Sequence, residues 1–144
     1  MFSQGQYSVF TAFLDHGDEV IMFEPFFDQY LASVIFSGGK PVYVPLHPNL
    51  DDDKPSSADW TIDFDELRCV DAFSLLINNV MRCSRAITSQ TKMIIVNTPH
   101  NPVGKVFTKD ELKKIAALAK EFNLLVMADE VVCTIFLPLG RHLL

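Results

Sequence analysis

The sequence is poor in cysteine and in positive charge, and each shortage argues against a class of protein. Its 144 residues include three cysteines, Cys69, Cys83 and Cys133, without a CxxC pair or cysteine–histidine ligand spacing. That pattern disfavours a metal site and fits a reducing compartment. The formal net charge of −6 argues against nucleic acid or an anionic membrane as the main partner.

Membrane-spanning, export and dinucleotide-binding signals are also missing. No apolar run reaches the roughly 18 residues that a bilayer requires, and residues 1–20 lack a basic region followed by an apolar one. We therefore expect a cytoplasmic location; a mitochondrial one stays open, because the native N-terminus is expected upstream of Met1. A dinucleotide-binding oxidoreductase needs a Gly-x-Gly-x-x-Gly turn after its first strand, but residues 23–26 read Phe-Glu-Pro-Phe.

What the sequence does contain is an alternation of strand and helix signals. Short apolar runs predict strands at residues 19–23, 41–46, 92–97 and 124–128. The runs are nearly continuous, which is typical of parallel sheets buried on both faces. The predicted fold class is therefore α/β, with helices in the crossovers between parallel strands.

The helix signals lie between those strands. Residues 26–36 suit a helix that Gly38-Gly39 ends, and Asp63 suits the N-cap of another, after a surface loop at residues 47–59. Thr108 and Glu111 form a capping box in front of a third helix, which Asn123 ends. The predicted apolar face of that helix consists of Leu112, Ile115, Ala116, Leu118 and Ala119.

Polar residues follow two of the predicted strands, and ligands of α/β sheets bind beyond the carboxyl ends of strands. Residues 97–101 follow one strand and Asp129 follows another. A buried carboxylate at Asp129 needs a cationic or strongly donating partner. Taken singly, Asp129 also fits a helix cap or a loop salt bridge, Asn101 a simple turn before Pro102, and Phe27 ordinary core packing.

Taken together, three segments in this order resemble a known family. They are Glu24-Pro25-Phe26-Phe27-Asp28-Gln29-Tyr30, Asn97-Thr98-Pro99-His100-Asn101-Pro102-Val103-Gly104-Lys105 and Asp129-Glu130-Val131. The chain resembles the class I/II, fold-type-I aminotransferases that depend on pyridoxal phosphate, and within them the kynurenine aminotransferase and cysteine-conjugate β-lyase group. The resemblance covers residues 3–68 and 85–131. It implies part of the mostly parallel, doubly wound sheet of the large, cofactor-binding domain.

The resemblance also implies a cofactor, pyridoxal 5'-phosphate, and residues that bind it. Asp129 matches the aspartate that keeps the pyridine nitrogen protonated, and Asn101 matches the asparagine that donates to the phenolic oxygen. Phe27 is the best match to the aromatic ring that stacks on the cofactor, and Ser3 matches a remnant of the phosphate-binding loop. The implied substrates are an amino acid, with kynurenine favoured, and a 2-oxo acid, and the parent enzyme is expected to be a homodimer.

Several of the family's residues have no match, so we assign no catalytic residue. The Schiff-base lysine and the arginine that binds the substrate carboxylate lie beyond the matched segments, and Lys105 matches neither the place nor the role of that lysine. Val132 stands where the family has a tyrosine. We therefore expect this chain by itself to be inactive. The alternative is a non-catalytic, degenerate subunit or an unstable truncated product.

The resemblance stops abruptly at two places. Residues 69–84 interrupt it and residues 132–144 form an unrelated tail, so we expect a partial cofactor-binding domain at residues 1–131 with an insertion at residues 69–84. Our hypothesis is a truncated or misassigned gene product, in which the two segments are translated intron or a wrong reading frame. A genuine surface insertion is the rival explanation for residues 69–84.

Overall fold

The computed structural model describes residues 2–49, 56–68 and 86–131, without the side chains of Phe2 and Ser3. The predicted insertion and tail lie outside these residues. In chain order the elements are α1 Phe2–Phe13, β1 Glu19–Glu24, α2 Gln29–Phe36, β2 Lys40–His47, a short 3-10 helix Ser57–Asp59, β3 Thr61–Ile62, α3 Phe64–Arg68, β4 Thr91–Asn97, α4 Lys109–Glu121 and β5 Leu125–Asp129. No helix among them is long and apolar enough to cross a membrane.

The described strands form one sheet in the order β3-β2-β1-β4-β5. The β1–β2, β1–β4 and β4–β5 pairs are parallel, whereas the two-residue β3 pairs with β2 antiparallel. The central strands correspond to the continuous apolar runs of the sequence. Both faces of such a strand are covered by other elements, so the side chains on both faces are apolar. The predicted α/β class with a mostly parallel sheet is confirmed.

Two hydrophobic clusters cover the two faces of the sheet. Within β1, Val20 and Met22 belong to one cluster, and Ile21 and Phe23 belong to the other, as the alternation of side chains along a strand requires. The first, which we call the α1-side cluster, consists of Phe10, Leu14, Val20, Met22, Tyr30, Val34, Met93 and Ile95. The second, the α4-side cluster, includes Leu67 of α3 and Ile115, Leu118 and Ala119 of α4. Helices on both faces make the sheet doubly wound.

Local signals place most helix ends correctly. The Thr108 hydroxyl accepts a hydrogen bond from the Glu111 amide at 3.2 Å, and the Glu111 carboxylate accepts one from the Thr108 amide at 2.7 Å, so the capping box is confirmed. Asp63 Oδ1 accepts from the amides of Asp65 and Glu66, as an N-cap does. Asn123 adopts a φ of 55°, which ends α4.

Strand ends differ from the sequence prediction by about one residue, a 3-10 helix lies within the predicted loop, and four further details differ. The segment 2–13 forms α1, which was not predicted because a glutamine, Gln6, stands in its buried stripe with Phe10. Helix α2 begins at Gln29 instead of residue 26, since Phe26 and Phe27 precede it. The short β3 was missed, and the alanine of α4 at position 116 is exposed rather than part of the apolar face.

Candidate functional site

Two polar residues end neighbouring strands of the sheet. Asn97 is the last residue of β4 and Asp129 the last of β5, and the two are directly paired across the strands. Both are buried, with 4% and 6% of their surface exposed. The Asn97 side-chain amide donates to the Asp129 carbonyl at 3.1 Å, and the Thr98 backbone amide donates to the same oxygen at 3.0 Å. The predicted position at the carboxyl edge of the sheet is therefore confirmed for both residues.

The Asp129 carboxylate accepts hydrogen bonds on both of its oxygens. Oδ2 accepts a short hydrogen bond from the Tyr30 hydroxyl and a longer one, at 3.4 Å, from Nε2 of Gln6. Oδ1 accepts from the backbone amide of Val131 at 3.2 Å. These three donors are neutral, so they hold the carboxylate without cancelling its charge. Asp129 thus has the strongly donating partners that a buried carboxylate was expected to need. Two of them, Gln6 of α1 and Tyr30 of α2, come from helices on the α1 side of the sheet.

Tyr30 is the residue that links Asp129 to the predicted aromatic position. Its side chain is buried, and burial followed by the hydrogen bond to Asp129 raises the pKa of its hydroxyl above the ordinary range. The Tyr30 hydroxyl therefore stays protonated and remains a donor. The ring of Phe27 meets the Tyr30 ring edge-on at a centroid distance of 5.7 Å, while Phe27 itself is only partly buried.

Asn101 is linked to the same strand end through Asn97. The Asn101 backbone amide donates to Oδ1 of Asn97 at 2.7 Å. Nδ2 of the same Asn97 side chain donates to the Asp129 carbonyl. Asn101 is itself exposed. Its loop is closed by two backbone hydrogen bonds, from Gly104 to the His100 carbonyl at 2.6 Å and from His100 to the Lys105 carbonyl at 2.7 Å. The Asn101 side chain thus stands on a loop with a defined shape.

His100, within that loop, contributes a buried ring. It is 4% exposed, and its Nδ1 has no hydrogen-bond partner within the described part of the chain. Burial lowers the pKa of His100, and nearby Lys105 lowers it further, against the opposing effect of a hydrogen bond with the Phe23 backbone. The imidazole is consequently neutral at neutral pH, and it packs edge-on against the Phe107 ring.

Three of the four residues predicted to bind the cofactor are therefore connected. Phe27, Asn101 and Asp129 are joined by Tyr30 on one side and Asn97 on the other. The fourth, Ser3, lies in α1, and its side chain is outside the described residues, as are Val132 and Arg141.

Sequence reasoning missed two residues of this arrangement. Tyr30 lies within one of the three motifs, but no role for it follows from the sequence; its signal is a hydroxyl in the first turn of a helix with a buried face. Gln6 lies outside all three motifs. Its signal was a polar residue four positions before Phe10 on the same helical stripe.

Comparison with known proteins gives one consistent result. The sequence model of the family described as "Aminotransferase class I and II" matches residues 2–132. The chain is 42% identical over 131 residues to "Probable kynurenine--oxoglutarate transaminase BNA3" of Saccharomyces cerevisiae, which covers 90% of this chain and 26% of that protein.

Solved structures agree with the sequence relatives. The crystal structure of Bna3p from Saccharomyces cerevisiae superposes with a TM-score of 0.74 at 42% identity, over 90% of this chain and 27% of that one. N-succinyldiaminopimelate aminotransferase from Mycobacterium tuberculosis superposes with a TM-score of 0.71 at 32% identity, over 90% and 28%. The chain spans about a quarter of the length of the curated relatives it matches.

Proposed function

We propose, because this chain belongs to the aminotransferase class I and II family, that it forms one wall of a pyridoxal-phosphate site in a transaminase. The enzyme would transfer an amino group between an amino acid and a 2-oxo acid. The observation that carries the proposal is the connected set at the carboxyl edge of the sheet, in which Asp129 is bound to Tyr30 and Asn97, and these in turn contact Phe27 and Asn101.

The residues present fit pyridoxal phosphate by the chemistry of their side chains. Asp129 offers a buried carboxylate, which is the partner that a protonated pyridine nitrogen needs. Asn101 offers an exposed amide for the phenolic oxygen, and Phe27 offers a ring with an accessible part for stacking. When bound, pyridoxal phosphate supplies an electron sink for the carbanion that forms at the α-carbon of the substrate.

The chain's own contribution is to orient these groups. Tyr30 and Gln6 both donate to Oδ2 of Asp129, and the Val131 amide holds Oδ1, so the carboxylate has one defined orientation. Asn97 places the Asn101 loop beside the same strand end. Rigid strand ends position such groups more accurately than free loops do.

The substrates are proposed from the relatives' names together with the motifs. Several relatives at 36–42% identity are named kynurenine–oxoglutarate transaminases. We infer an aromatic amino acid such as kynurenine as amino donor and oxoglutarate or a similar 2-oxo acid as acceptor, with β-elimination from cysteine conjugates as a side activity. A homodimer in the cytoplasm, or in the mitochondrion, is the setting we propose.

The 144-residue polypeptide is proposed to bind cofactor without turning over. None of its lysines lies in a segment that matches the place of the family's cofactor-linked lysine, and the buried Lys105 is already engaged in an ion pair with Glu111. We further propose that residues 1–131 belong to the cofactor-binding domain, with residues 69–84 as an insertion and residues 132–144 as a separate tail. A non-catalytic subunit is the alternative.

Binding of pyridoxal phosphate to the purified chain tests the proposal. The Asp129→Asn variant keeps the size of the side chain but removes its charge, so we expect affinity to fall by about 10-fold or more, as for other charged hydrogen bonds. Asp110→Asn is the matched control, because Asp110 is exposed on α4. The cofactor's absorbance reports binding. An unmodified chain that does not bind, or Asp129→Asn binding that is unchanged, would overturn the proposal.

A further inference from the structure

Lys105 is a buried lysine outside the Asp129 network. Only 2% of its surface is exposed, and its Nζ lies 3.0 Å from Oε1 of Glu111. The same nitrogen lies 5.5 Å from the centre of the Phe107 ring. A buried ammonium group is costly unless it is paired and hydrogen-bonded, and here the ion pair and the ring supply that compensation.

Glu111 divides its two carboxylate oxygens between two tasks. Oε1 pairs with Lys105, while Oε2 accepts from the Thr108 amide at 2.7 Å and from its hydroxyl at 2.9 Å. Burial alone would raise the pKa of Glu111, but the hydrogen bonds from Thr108 and Lys105 outweigh burial and lower it. The carboxylate that caps α4 is therefore also the anion that retains Lys105.

The backbone of Lys105 is one end of the loop that carries Asn101. Its carbonyl accepts from the His100 amide, and the His100 carbonyl accepts from Gly104, so residues 100–105 form a closed unit. At the other end of the loop, Oδ1 of Asn97 accepts a hydrogen bond from the Asn101 backbone amide. The loop is consequently anchored on the sheet at Asn97 and on the first turn of α4 at Glu111. A further hydrogen bond, from the Phe107 amide to the Thr98 hydroxyl at 3.2 Å, closes it from behind Lys105.

A purely stabilising role explains this pair poorly. Replacing a buried ion pair with apolar residues is often neutral or favourable for stability, so stability gives little reason to retain one. A charged pair is more selective than apolar contacts, because it tolerates few alternative arrangements of its partners. The best-attested use of such pairs is to specify one structure among several.

We propose that the ion pair between the buried Lys105 and the partly buried Glu111 is a positioning device that holds Asn101 at the candidate site by fixing the far end of its loop to α4. This inference deepens the proposed function, because the role of Asn101 rests on it. Lys105 and Glu111 are positioning residues that act through the loop.

Residue-specific amide hydrogen exchange on the full chain tests the device directly. In Lys105→Met and in Glu111→Gln, we expect exchange at the Asn101 and Gly104 amides to accelerate at least about 10-fold more than at the Ile21 amide of β1. Glu111→Gln keeps an acceptor for the Thr108 cap, so it reports on the pair if Lys105→Met does not fold. Lys113→Met is the matched control, since Lys113 forms an exposed ion pair with Asp110 on the same helix.

A second measurement connects the device to the site. Pyridoxal-phosphate affinity is expected to fall about 10-fold in both variants and to be unchanged in Lys113→Met. Equal acceleration at the loop and at Ile21, or no acceleration at the loop, would overturn the inference, since the pair would then act on stability alone or not at all. If no protein binds the cofactor, the proposed function fails, while the exchange pattern still decides whether the pair holds the loop.

Discussion

The hydroxyl of Tyr30 donates a hydrogen bond to Oδ2 of Asp129, and this bond ties the first turn of α2 to the last residue of β5. The two residues are 99 positions apart in the chain, and both are buried. Among the described residues, Asp129 is the only acidic side chain that is buried. Its orientation therefore depends on donors that come from distant elements.

Replacing Tyr30 with phenylalanine removes this donor and little else. Asp129 Oδ2 would then be left with the long contact from Gln6, and a buried carboxylate short of a donor costs about 1–3 kcal/mol. We expect the free energy of unfolding, measured by urea denaturation, to fall by that amount. Tyr7→Phe is the matched control, because Tyr7 is 47% exposed, and it should change stability by less than about 0.5 kcal/mol. Equal effects of the two substitutions would contradict this assignment.

The same pair predicts a pH dependence at the alkaline end. Folding raises the pKa of Tyr30 above its ordinary value of 10.0, so the folded state holds the proton more tightly than the unfolded state does. The stabilisation is complete below about pH 10 and is lost as the pH rises above it, with a limiting slope of about 1.4 kcal/mol per pH unit for one proton.

Unfolding titrations between pH 8 and about 11 on the native chain and Tyr30→Phe measure this effect. The stability difference between the two proteins should shrink as the pH rises through the upper part of that range. A difference that stays constant or grows would show that the hydroxyl does not carry its proton as the structure implies.

Gln6 offers a contrasting prediction. Within the described part of the chain, its Nε2 makes only the 3.4 Å contact to Asp129, and its Oε1 is buried without a hydrogen-bond partner. A buried acceptor without a partner costs about 1–3 kcal/mol. Gln6→Met keeps the volume of the side chain and removes both that acceptor and the long 3.4 Å donor to Asp129. Relief of the unpaired acceptor offsets the loss of so long a hydrogen bond, so we expect stability to be unchanged or to rise by up to about 1 kcal/mol. Thermal unfolding of this variant beside Tyr30→Phe checks the contrast, and a loss as large as that of Tyr30→Phe would refute it.

Much of the fold could be predicted from the sequence because its signals are local. The buried strands β1 and β4 are continuous apolar runs, and the start of α4 is marked by a threonine and a glutamate three residues apart. Such signals depend on neighbours within one turn or one strand. Helix α1 was missed because its signal is not local. Its buried stripe contains Gln6, and the partner of Gln6 is Asp129, at the end of β5 and 123 residues away along the chain.

The sequence by itself determined the family and the α/β class, and it singled out Phe27, Asn101 and Asp129 as candidates for the site, because each of these inferences follows from residue type and order along the chain. Only the tertiary structure decided how these three are joined. Tyr30 and Asn97 became links when the parallel crossovers brought α2 and the ends of β4 and β5 to one edge of the sheet. Hydrogen bonds between residues so far apart leave no periodic pattern, because the sheet topology, and not the local spacing, sets their distance.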